Sequence, residues 1–171
     1  MSKPQLESRI VHCRCGEVEI ELAGPPILVA ACHCDDCQAG AAMIEALPGA
    51  TPVLDAYAGT PSVLYRKDRV HVRRGGERLK RLKLQPDSPT NRDIADCCNT
   101  PLMVTFDNTL HWIPVYSALI RDAAPPLKMR VNTRYIPDSL PQPHDVPSYR
   151  HFPLRFVLKL VTARLGMLLG R

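Results

Sequence analysis

The segment Cys-His-Cys-Asp-Asp-Cys-Gln at residues 32–38 is the most informative stretch of this 171-residue chain. Its cysteines, Cys32, Cys34 and Cys37, fall within six residues, so one turn of backbone can direct three thiols at a single metal ion. Two further groups, Cys13-Arg14-Cys15 and Cys97-Cys98, complete the seven cysteines of the chain. Such grouping favours metal binding over disulfide bonds.

The redox compartment supports the same interpretation. The first eight residues contain no apolar stretch of the kind found in secretory signal peptides, so we expect a cytoplasmic protein. In a reducing compartment, closely spaced cysteines are more often metal or redox sites than structural disulfides, and an odd number of cysteines cannot pair completely. Structural disulfides and incidental buried thiols remain the alternatives.

Composition predicts a mainly β, antiparallel fold. Seventeen prolines and nine glycines divide the chain into short segments before residue 148. The net charge is +5, and many basic residues fall between positions 66 and 83. We interpret that basic run as the solvated face of a hairpin, with anion or nucleic-acid binding as the alternative. No aromatic residues interleave the run as a stacking platform would require, which disfavours nucleic acid as a partner.

Hydrophobic periodicity places the first two cysteine groups on strands. Residues 17–22 alternate acidic and aliphatic side chains, which indicates a half-buried strand. Residues 27–31 form a continuous apolar run, which indicates a buried strand that ends at Cys32. The two groups could thus bracket a hairpin. We also expect a short helix over residues 38–42, directly behind Cys37.

The middle of the chain predicts an antiparallel meander. Strands are expected at residues 53–57, 62–65 and 70–73, followed by a hairpin turn at 74–77 and a strand at 79–84. Two more strands are expected at 102–106 and 111–116. Cys97 and Cys98 then lie on a loop between strands.

The chain divides into three predicted parts. Residues 8–137 form the β domain, residues 138–153 a proline-rich connector that wraps or links, and residues 154–171 an amphipathic helix. Arg155, Lys159, Thr162 and Gly166 make a narrow polar stripe on that helix. We expect the helix to pack on the domain or on a second subunit, with peripheral membrane contact as the alternative.

The cysteine spacings predict two kinds of zinc site. Two ligand pairs from distant parts of a chain usually make a closed structural site, which Cys13 and Cys15 with Cys97 and Cys98 could supply. The group of three thiols leaves a fourth position open for water or a substrate thiol. A thiol bound there would lose its proton near neutral pH and could attack an aldehyde such as formaldehyde.

Three polar residues lie among these thiols. His33 could complete the tetrahedron or act as an acid or base, but neighbouring side chains on an extended segment point apart. Asp35 and Asp36 could orient the ligands, although solvated turn residues are the more common role of such aspartates.

Three motifs together resemble a known family. These motifs are Cys-Arg-Cys-Gly-Glu-Val at residues 13–18, the segment at residues 32–38, and Cys-Asn-Thr-Pro-Leu at residues 98–102. Over residues 10 to 116 the chain resembles the glutathione-dependent formaldehyde-activating enzymes and their centromere-protein-V-like relatives. The resemblance implies a zinc-containing, tent-like β fold and carbon-sulfur lyase activity, with glutathione or a similar small thiol and a small aldehyde as substrates.

The resemblance also implies roles for individual cysteines. Cys13, Cys15 and Cys98 would hold a structural zinc ion, while Cys32, Cys34 and Cys37 would hold a second ion and form the catalytic site. Zinc is the only cofactor predicted. The family's last motif is usually Cys-x-x-Cys-Gly-Thr, whereas this chain has Ala95 at the first position and Asn99 in place of glycine. The neighbouring Cys97 is the candidate replacement for the missing ligand.

Two other functions compete with a thiol-activating lyase. The first is a non-catalytic, zinc-stabilised module that binds an acidic partner, nucleic acid or a membrane surface through its basic hairpin or terminal helix. The second is thiol redox or sensing chemistry at Cys97 and Cys98. The Cys-x-x-Cys at residues 34–37 lacks the surrounding βαβ pattern of thioredoxin-like proteins.

Overall fold

The fold is mainly β, as predicted, and was obtained as a computed structural model that describes residues 7–120 and 123–170. The interpretation of the chain start as lacking a signal peptide falls largely on residues 1–6, outside the described residues. The elements are β1 (Ser8–His12), β2 (Glu19–Ala23), β3 (Leu28–Cys32), α1 (Asp35–Glu45), β4 (Thr60–Arg66), β5 (Val70–Arg74), β6 (Leu79–Leu82), β7 (Thr90–Ala95), β8 (Thr100–Phe106), β9 (Trp112–Tyr116), α2 (Ser117–Ile120), β10 (Met129–Val131) and α3 (Leu154–Leu168).

Two sheets organise these elements. The smaller sheet has the strand order β1-β2-β5, and the larger has the order β10-β3-β4-β9-β8-β7-β6. The pairs are antiparallel except for β10 with β3, which is parallel. The strands predicted at residues 17–22, 27–31, 62–65, 70–73, 79–84, 102–106 and 111–116 are confirmed with shifted ends, whereas β1, β7 and β10 were not predicted.

The larger sheet buries both of its faces. Alternating residues of one strand enter different cores, because successive side chains of a strand point to opposite sides. On β4, Val63 packs into the core between the two sheets, whereas Leu64 packs under α3. On β9, Val115 faces the smaller sheet, and Tyr116 packs with α1. The smaller sheet therefore covers one face, while α1 and α3 cover the other.

Both predicted hairpins are wrong. The turn at residues 74–77 exists, with Gly75 in the left-handed region at φ 73°. However, β5 pairs with β2 in the smaller sheet, and β6 pairs with β7 in the larger. The turn thus carries the chain from one sheet to the other. The first two cysteine groups do not bracket a hairpin either, since β2 and β3 lie in different sheets.

Residues 53–57 form no strand, contrary to the prediction. Side-chain carboxylates bind the backbone N–H groups that a strand would offer to a neighbour. Glu45 accepts hydrogen bonds from the N–H groups of Val53 and Leu54. Asp55 likewise accepts from the N–H groups of Tyr57 and Gly59. Local side-chain bonds of this kind compete with strand pairing.

The C-terminal helix is confirmed, and its placement shows how the chain end packs. In α3, only Phe156 and Leu160 are buried, against Leu28, Leu64 and Met129 of the larger sheet. The connector before the helix runs beside β10, where the N–H of Arg130 bonds to the carbonyl of Pro147. The division of the chain at residues 137/138 and 153/154 stays a prediction.

The basic run of residues 66–83 is spread over both sheets and is largely paired with acidic side chains. Arg73 contacts Glu21, and Lys83 contacts Asp107 at 2.7 Å. Arg66 is buried and paired with Asp68. The prediction that the basic run forms the face of one hairpin is therefore wrong, because β5 and β6 lie in different sheets.

Candidate metal centres and the adjoining cavity

Four cysteines converge at the first cluster: Cys13, Cys15, Cys97 and Cys98. Their sulfur atoms all lie within 4.8 Å of one another. The Sγ atoms of Cys13 and Cys15 are 3.5 Å apart, and those of Cys15 and Cys97 are 3.2 Å apart. Cys97 thus lies among the other three thiols, as expected of a replacement fourth ligand.

Two tight turns build this cluster. The turn between β1 and β2 is closed by hydrogen bonds from the N–H of Gly16 to the carbonyl of Cys13 and from Cys13 to Val18. The β7–β8 turn carries the other two cysteines, as predicted. Asn99 takes the left-handed conformation there, at φ 52°, which asparagine tolerates better than most residues.

The thiols of the first cluster differ in acidity. Burial opposes ionisation of Cys98, but hydrogen bonds from the Thr100 hydroxyl and from backbone N–H groups outweigh it and lower the pKa of Cys98 to about 6. Burial raises the pKa of Cys13. Burial and hydrogen bonding to Cys15 raise the pKa of Cys97.

The second cluster comprises Cys32, Cys34 and Cys37, whose sulfur atoms also lie within 4.8 Å of one another. Cys32 ends β3, and Cys34 is the N-cap of α1. The helix begins at Asp35, earlier than predicted, so Cys37 lies inside its first turn. Asn132 adds a polar contact, with its Nδ2 atom 3.4 Å from the Cys32 sulfur.

One thiol of the second cluster is strongly acidic. Hydrogen bonds from Cys34 and Cys37 lower the pKa of Cys32 to about 3. The same interactions with Cys32 raise the pKa of Cys34 and raise that of Cys37 further. A cation placed among the three sulfurs would favour loss of the remaining protons.

His33 does not belong to the second cluster. Its side chain is fully buried, with Nδ1 3.0 Å from the carbonyl oxygen of Tyr57 and Nε2 3.4 Å from Nη1 of Arg130. Burial lowers the pKa of His33, which favours the neutral ring. Arg130 in turn pairs with Asp55 and Asp145. His33 therefore has a structural role, and the prediction that it could be a metal ligand or an acid-base group is not supported.

Asp35 and Asp36 are exposed in the first turn of α1. Acidic residues in this position interact favourably with the positive end of the helix dipole. Neither carboxylate belongs to a group of possible metal ligands within the described residues, and their exposure agrees with their interpretation as solvated residues.

A cavity of about 300 Å³ adjoins the second cluster. It occupies the gap between α1 and α3 on the larger sheet, and its floor consists of alternate residues of neighbouring strands. Most of its walls are apolar or aromatic. The lining includes Cys32, Cys34, Cys37, Thr60, Leu64, Arg92, Phe106, Trp112, Tyr116, Phe152 and Phe156.

A family model for the glutathione-dependent formaldehyde-activating enzymes matches residues 8–133. The chain belongs to this family. The family implies glutathione and formaldehyde as substrates. A crystal structure of a Rhodobacter sphaeroides protein is also similar, with 17% identity and a TM-score of 0.48, over 82% of this chain and 99% of that chain. Among curated proteins, none matches the sequence significantly.

Both clusters fit the zinc ion that family resemblance implies. Zinc–sulfur bonds of about 2.3 Å in tetrahedral array place sulfur atoms roughly 3.8 Å apart. Cys13 and Cys97 have sulfurs 3.9 Å apart, and Cys32 and Cys34 have sulfurs 3.4 Å apart. Small adjustments would therefore admit an ion at either cluster, with four thiols at the first and three at the second.

Several residues near the second cluster gave no signal in the sequence. Arg92 and Tyr116 are buried cavity residues on β7 and β9, far from the cysteine motifs along the chain. Phe152 and Phe156 come from the chain end, outside the family motifs. The periodicity of these positions along their strands and helix is that of any buried face. Only the pairing of the strands shows that the residues share a cavity.

Proposed function

We propose that this chain is a carbon-sulfur lyase that adds a small thiol, such as glutathione, reversibly to an aldehyde such as formaldehyde. The observation that carries the proposal is that the cluster of three thiols adjoins a cavity of about 300 Å³, whereas the other cluster has four thiols. Three protein ligands with one open position are typical of catalytic zinc sites, and four are typical of structural ones.

The reaction needs one proton to move. The thiol sulfur attacks the aldehyde carbon, a carbon–sulfur bond forms, and the carbonyl π electrons pass to oxygen. The proton lost from the thiol ends on that oxygen, so the product is a hydroxyalkyl thioether and nothing is oxidised or reduced. The reverse reaction breaks the same bond and releases both substrates.

In this proposal Cys32, Cys34 and Cys37 hold a zinc ion, and Cys13, Cys15, Cys97 and Cys98 hold a second, structural one. When bound at the open site, zinc supplies positive charge that lowers the pKa of an incoming thiol. The cavity walls are mostly apolar, which lowers the local dielectric constant and so strengthens electrostatic interactions at the site.

Tyr116 is the candidate proton donor to the aldehyde oxygen. Burial raises the pKa of its phenol, which therefore stays protonated, although the nearby charge of Arg92 acts in the opposite direction. A neutral phenol on the cavity wall can donate a hydrogen bond to the oxygen as it gains charge.

Because thiolate ligands must stay reduced, we assign the protein to the cytoplasm.

Exchange spectroscopy by NMR with glutathione and labelled formaldehyde tests this function. Wild-type protein should accelerate exchange between free and thiol-bound formaldehyde, and Cys34→Ser should return the rate to that of buffer. Cys15→Ser is the matched control, since it alters the second cysteine of the other Cys-x-Cys pair and should retain acceleration while the protein remains folded by circular dichroism. Wild-type rates equal to those of buffer would contradict the proposal.

Cobalt substitution tests the open metal position separately. Glutathione should change the thiolate-to-cobalt charge-transfer bands of wild-type protein but not those of Cys34→Ser. An unchanged wild-type spectrum at saturating glutathione would mean that no position is open to a thiol, and would favour the non-catalytic binding module instead.

A further inference from the structure

Arg92 is a buried cation in the wall of the cavity. The residue is 4% exposed, and its Nη2 atom donates to the carbonyl oxygen of Asp36. Its Nη1 atom has no hydrogen-bond partner within residues 7–120 and 123–170. No carboxylate of the described residues forms an ion pair with Arg92. The other buried arginines, Arg66 and Arg130, each form an ion pair with an aspartate.

The fold makes room for this guanidinium. Gly40 of α1 faces Arg92, and a β-carbon at that position would lie 1.7 Å from the Arg92 Nε atom. A side chain at position 40 would therefore clash with the Arg92 guanidinium in its present position. A buried charge without a counterion is costly, and an anion supplied by a ligand would offset that cost.

A second orphaned polar atom lines the same cavity. The Thr60 hydroxyl on β4 is buried and has no hydrogen-bond partner among the described residues. The remaining surface is mostly apolar, with Phe106, Trp112 and Phe156 among its walls. The cavity lining therefore combines the buried Arg92 guanidinium with the hydroxyl-bearing residues Thr60, Ser62, Thr90 and Tyr116 and with the exposed Asp36. The rest of the wall is mostly apolar and ends at the three thiols.

We propose that the thiol substrate of this chain has an apolar body and a carboxylate, with the carboxylate bound by Arg92. The inference rests on the proposed function and narrows its substrate class. A guanidinium binds carboxylates through paired, charge-assisted hydrogen bonds, and an apolar body matches the aromatic walls. Glutathione carries the carboxylates that such a subsite would bind, and a thiol with a larger apolar body should bind more tightly.

Thiol-free probes test the subsite independently of the thiol chemistry. Trp112 is the only tryptophan of the sequence and lies on the cavity wall, so its fluorescence reports binding. Hexanoate should bind wild-type protein about tenfold more tightly than 1-hexanol, because one charge-assisted hydrogen bond distinguishes them. Equal affinities, tighter binding of 1-hexanol, or binding of neither probe would overturn the proposal whether or not the protein is a lyase.

Variants then assign the preference to a residue. Arg92→Met should abolish the preference for hexanoate, while Arg150→Met, which removes an exposed arginine, should retain it. Cys34→Ser should also retain it, since the carboxylate would bind Arg92 rather than a metal ion. Retention in Arg92→Met, or loss in Cys34→Ser, would overturn the assignment. The wild-type comparison stands even where Arg92→Met fails to fold.

A different observation supports a second proposal, which concerns the outer face of α3. Seven apolar residues at the chain end are exposed, by between 44% and 73%: Leu154, Val157, Leu158, Val161, Leu165, Leu168 and Leu169. At 100° per residue, these side chains fall on one arc, opposite the buried Phe156 and Leu160. The helix thus presents a continuous apolar face to the outside.

Basic residues border this apolar face on both sides. Arg155 and Lys159 flank it on one edge and Arg164 on the other, and no acidic residue occurs from position 146 to position 171. A second copy packed on this face would bring like charges together with no acidic partner on the helix. Anionic lipid headgroups would instead pair with these cations while the leucines enter the acyl region.

We propose that α3 lies in the surface of an anionic membrane. None of the helices in the described residues is long and apolar enough to cross a membrane. The helix would therefore lie parallel to the surface, with its apolar arc inward and Phe156 and Leu160 still packed on the sheet.

Vesicle co-sedimentation tests this second proposal. Wild-type protein should bind vesicles of phosphatidylglycerol and phosphatidylcholine at least several-fold better than phosphatidylcholine alone. The double variant Leu158→Ser, Leu165→Ser should lose that binding, whereas Ile10→Ser, Val72→Ser, which alters exposed apolar residues on the smaller sheet, should keep it. Absence of wild-type binding, or a dimer in ultracentrifugation that the helix variant dissociates, would overturn it.

Discussion

Cys97 is one of three positions, with Ala95 and Asn99, at which this chain departs from the last motif that the family resemblance implies. It lies 3.2 Å from the Cys15 sulfur and 3.9 Å from that of Cys13, in a turn that Asn99 completes. We expect Cys97→Ser to lower zinc affinity at the first cluster and to lower the melting temperature, because a structural zinc ion stabilises the folded state.

The matched control for that prediction is Ala95→Ser, which places a hydroxyl at the usual ligand position of the family without removing a thiol. Calorimetric melting with and without a chelator measures both variants. If Cys97→Ser melts like wild type in zinc and in chelator alike, Cys97 is not a ligand.

Tyr116 is expected to matter for rate but not for metal binding. Tyr116→Phe removes the phenol that we assign to the aldehyde oxygen, so the exchange rate should fall about 100-fold with zinc content unchanged. Tyr135→Phe, a half-buried tyrosine outside the cavity, should leave the rate as in wild type. An undiminished rate in Tyr116→Phe would remove Tyr116 from the mechanism.

Arg130 joins the connector to the body of the protein through Asp145, at 2.8 Å. Hydrogen bonding from Arg130 lowers the pKa of Asp145 below its usual value of 3.8. The carboxylate therefore stabilises the fold above that value, and the contribution is lost as pH falls through the lower, folded-state pKa.

We expect Asp145→Asn to lower the free energy of unfolding by less than about 1 kcal/mol at neutral pH, because the side chain is 43% exposed. The difference between the two proteins should shrink as pH falls below about 4. Urea unfolding across pH measures it, with Asp138→Asn, on the same connector and without an ion pair among the described residues, as control. A constant difference down to pH 2 would contradict the assignment.

At the scale of elements, the turn between β5 and β6 decides which sheet each strand joins. Gly75 has φ 73°, and a β-carbon there would lie 2.4 Å from the backbone oxygen of Glu17. We expect Gly75→Ala to lower the free energy of unfolding by about 2 kcal/mol or more, through left-handed strain and this contact. Gly76→Ala should cost far less, since its β-carbon would meet only Val72 at 3.8 Å.

Denaturant unfolding of the two glycine variants measures this difference. Equal stabilities of the two variants would mean that the turn tolerates a side chain at position 75. That result would contradict the close approach of Gly75 to the Glu17 backbone.

The elements also show which parts of the fold the sequence could predict. Most strand positions followed from local alternation or short apolar runs, which one strand carries by itself, but β1, β7 and β10 were missed. Strand partners could not be predicted in the same way. Strands β5 and β6 are adjacent in sequence and connected by a turn typical of hairpins, yet β5 pairs with β2 and β6 pairs with β7. The segment at residues 53–57 failed because Glu45 and Asp55 satisfy its backbone by local bonds.

At the scale of the whole molecule, the larger sheet separates two thiol clusters. Cys13 and Cys98 belong to the core between the sheets, whereas the second cluster opens into the cavity on the other face. Cysteine spacing predicted both clusters, since ligands of one ion must lie close together. It could not predict Arg92 or Trp112, which reach the cavity only through the pairing of β7, β8 and β9.

Metal analysis by mass spectrometry most directly tests the central claim, that the chain holds two separate thiolate metal centres. Protein purified without chelator should contain two zinc ions per chain in wild type and one in Cys34→Ser, while Cys97→Ser should lose the other ion and keep the one beside the cavity. A wild-type chain with one ion or none, or a Cys34→Ser chain that still holds two, would contradict the account.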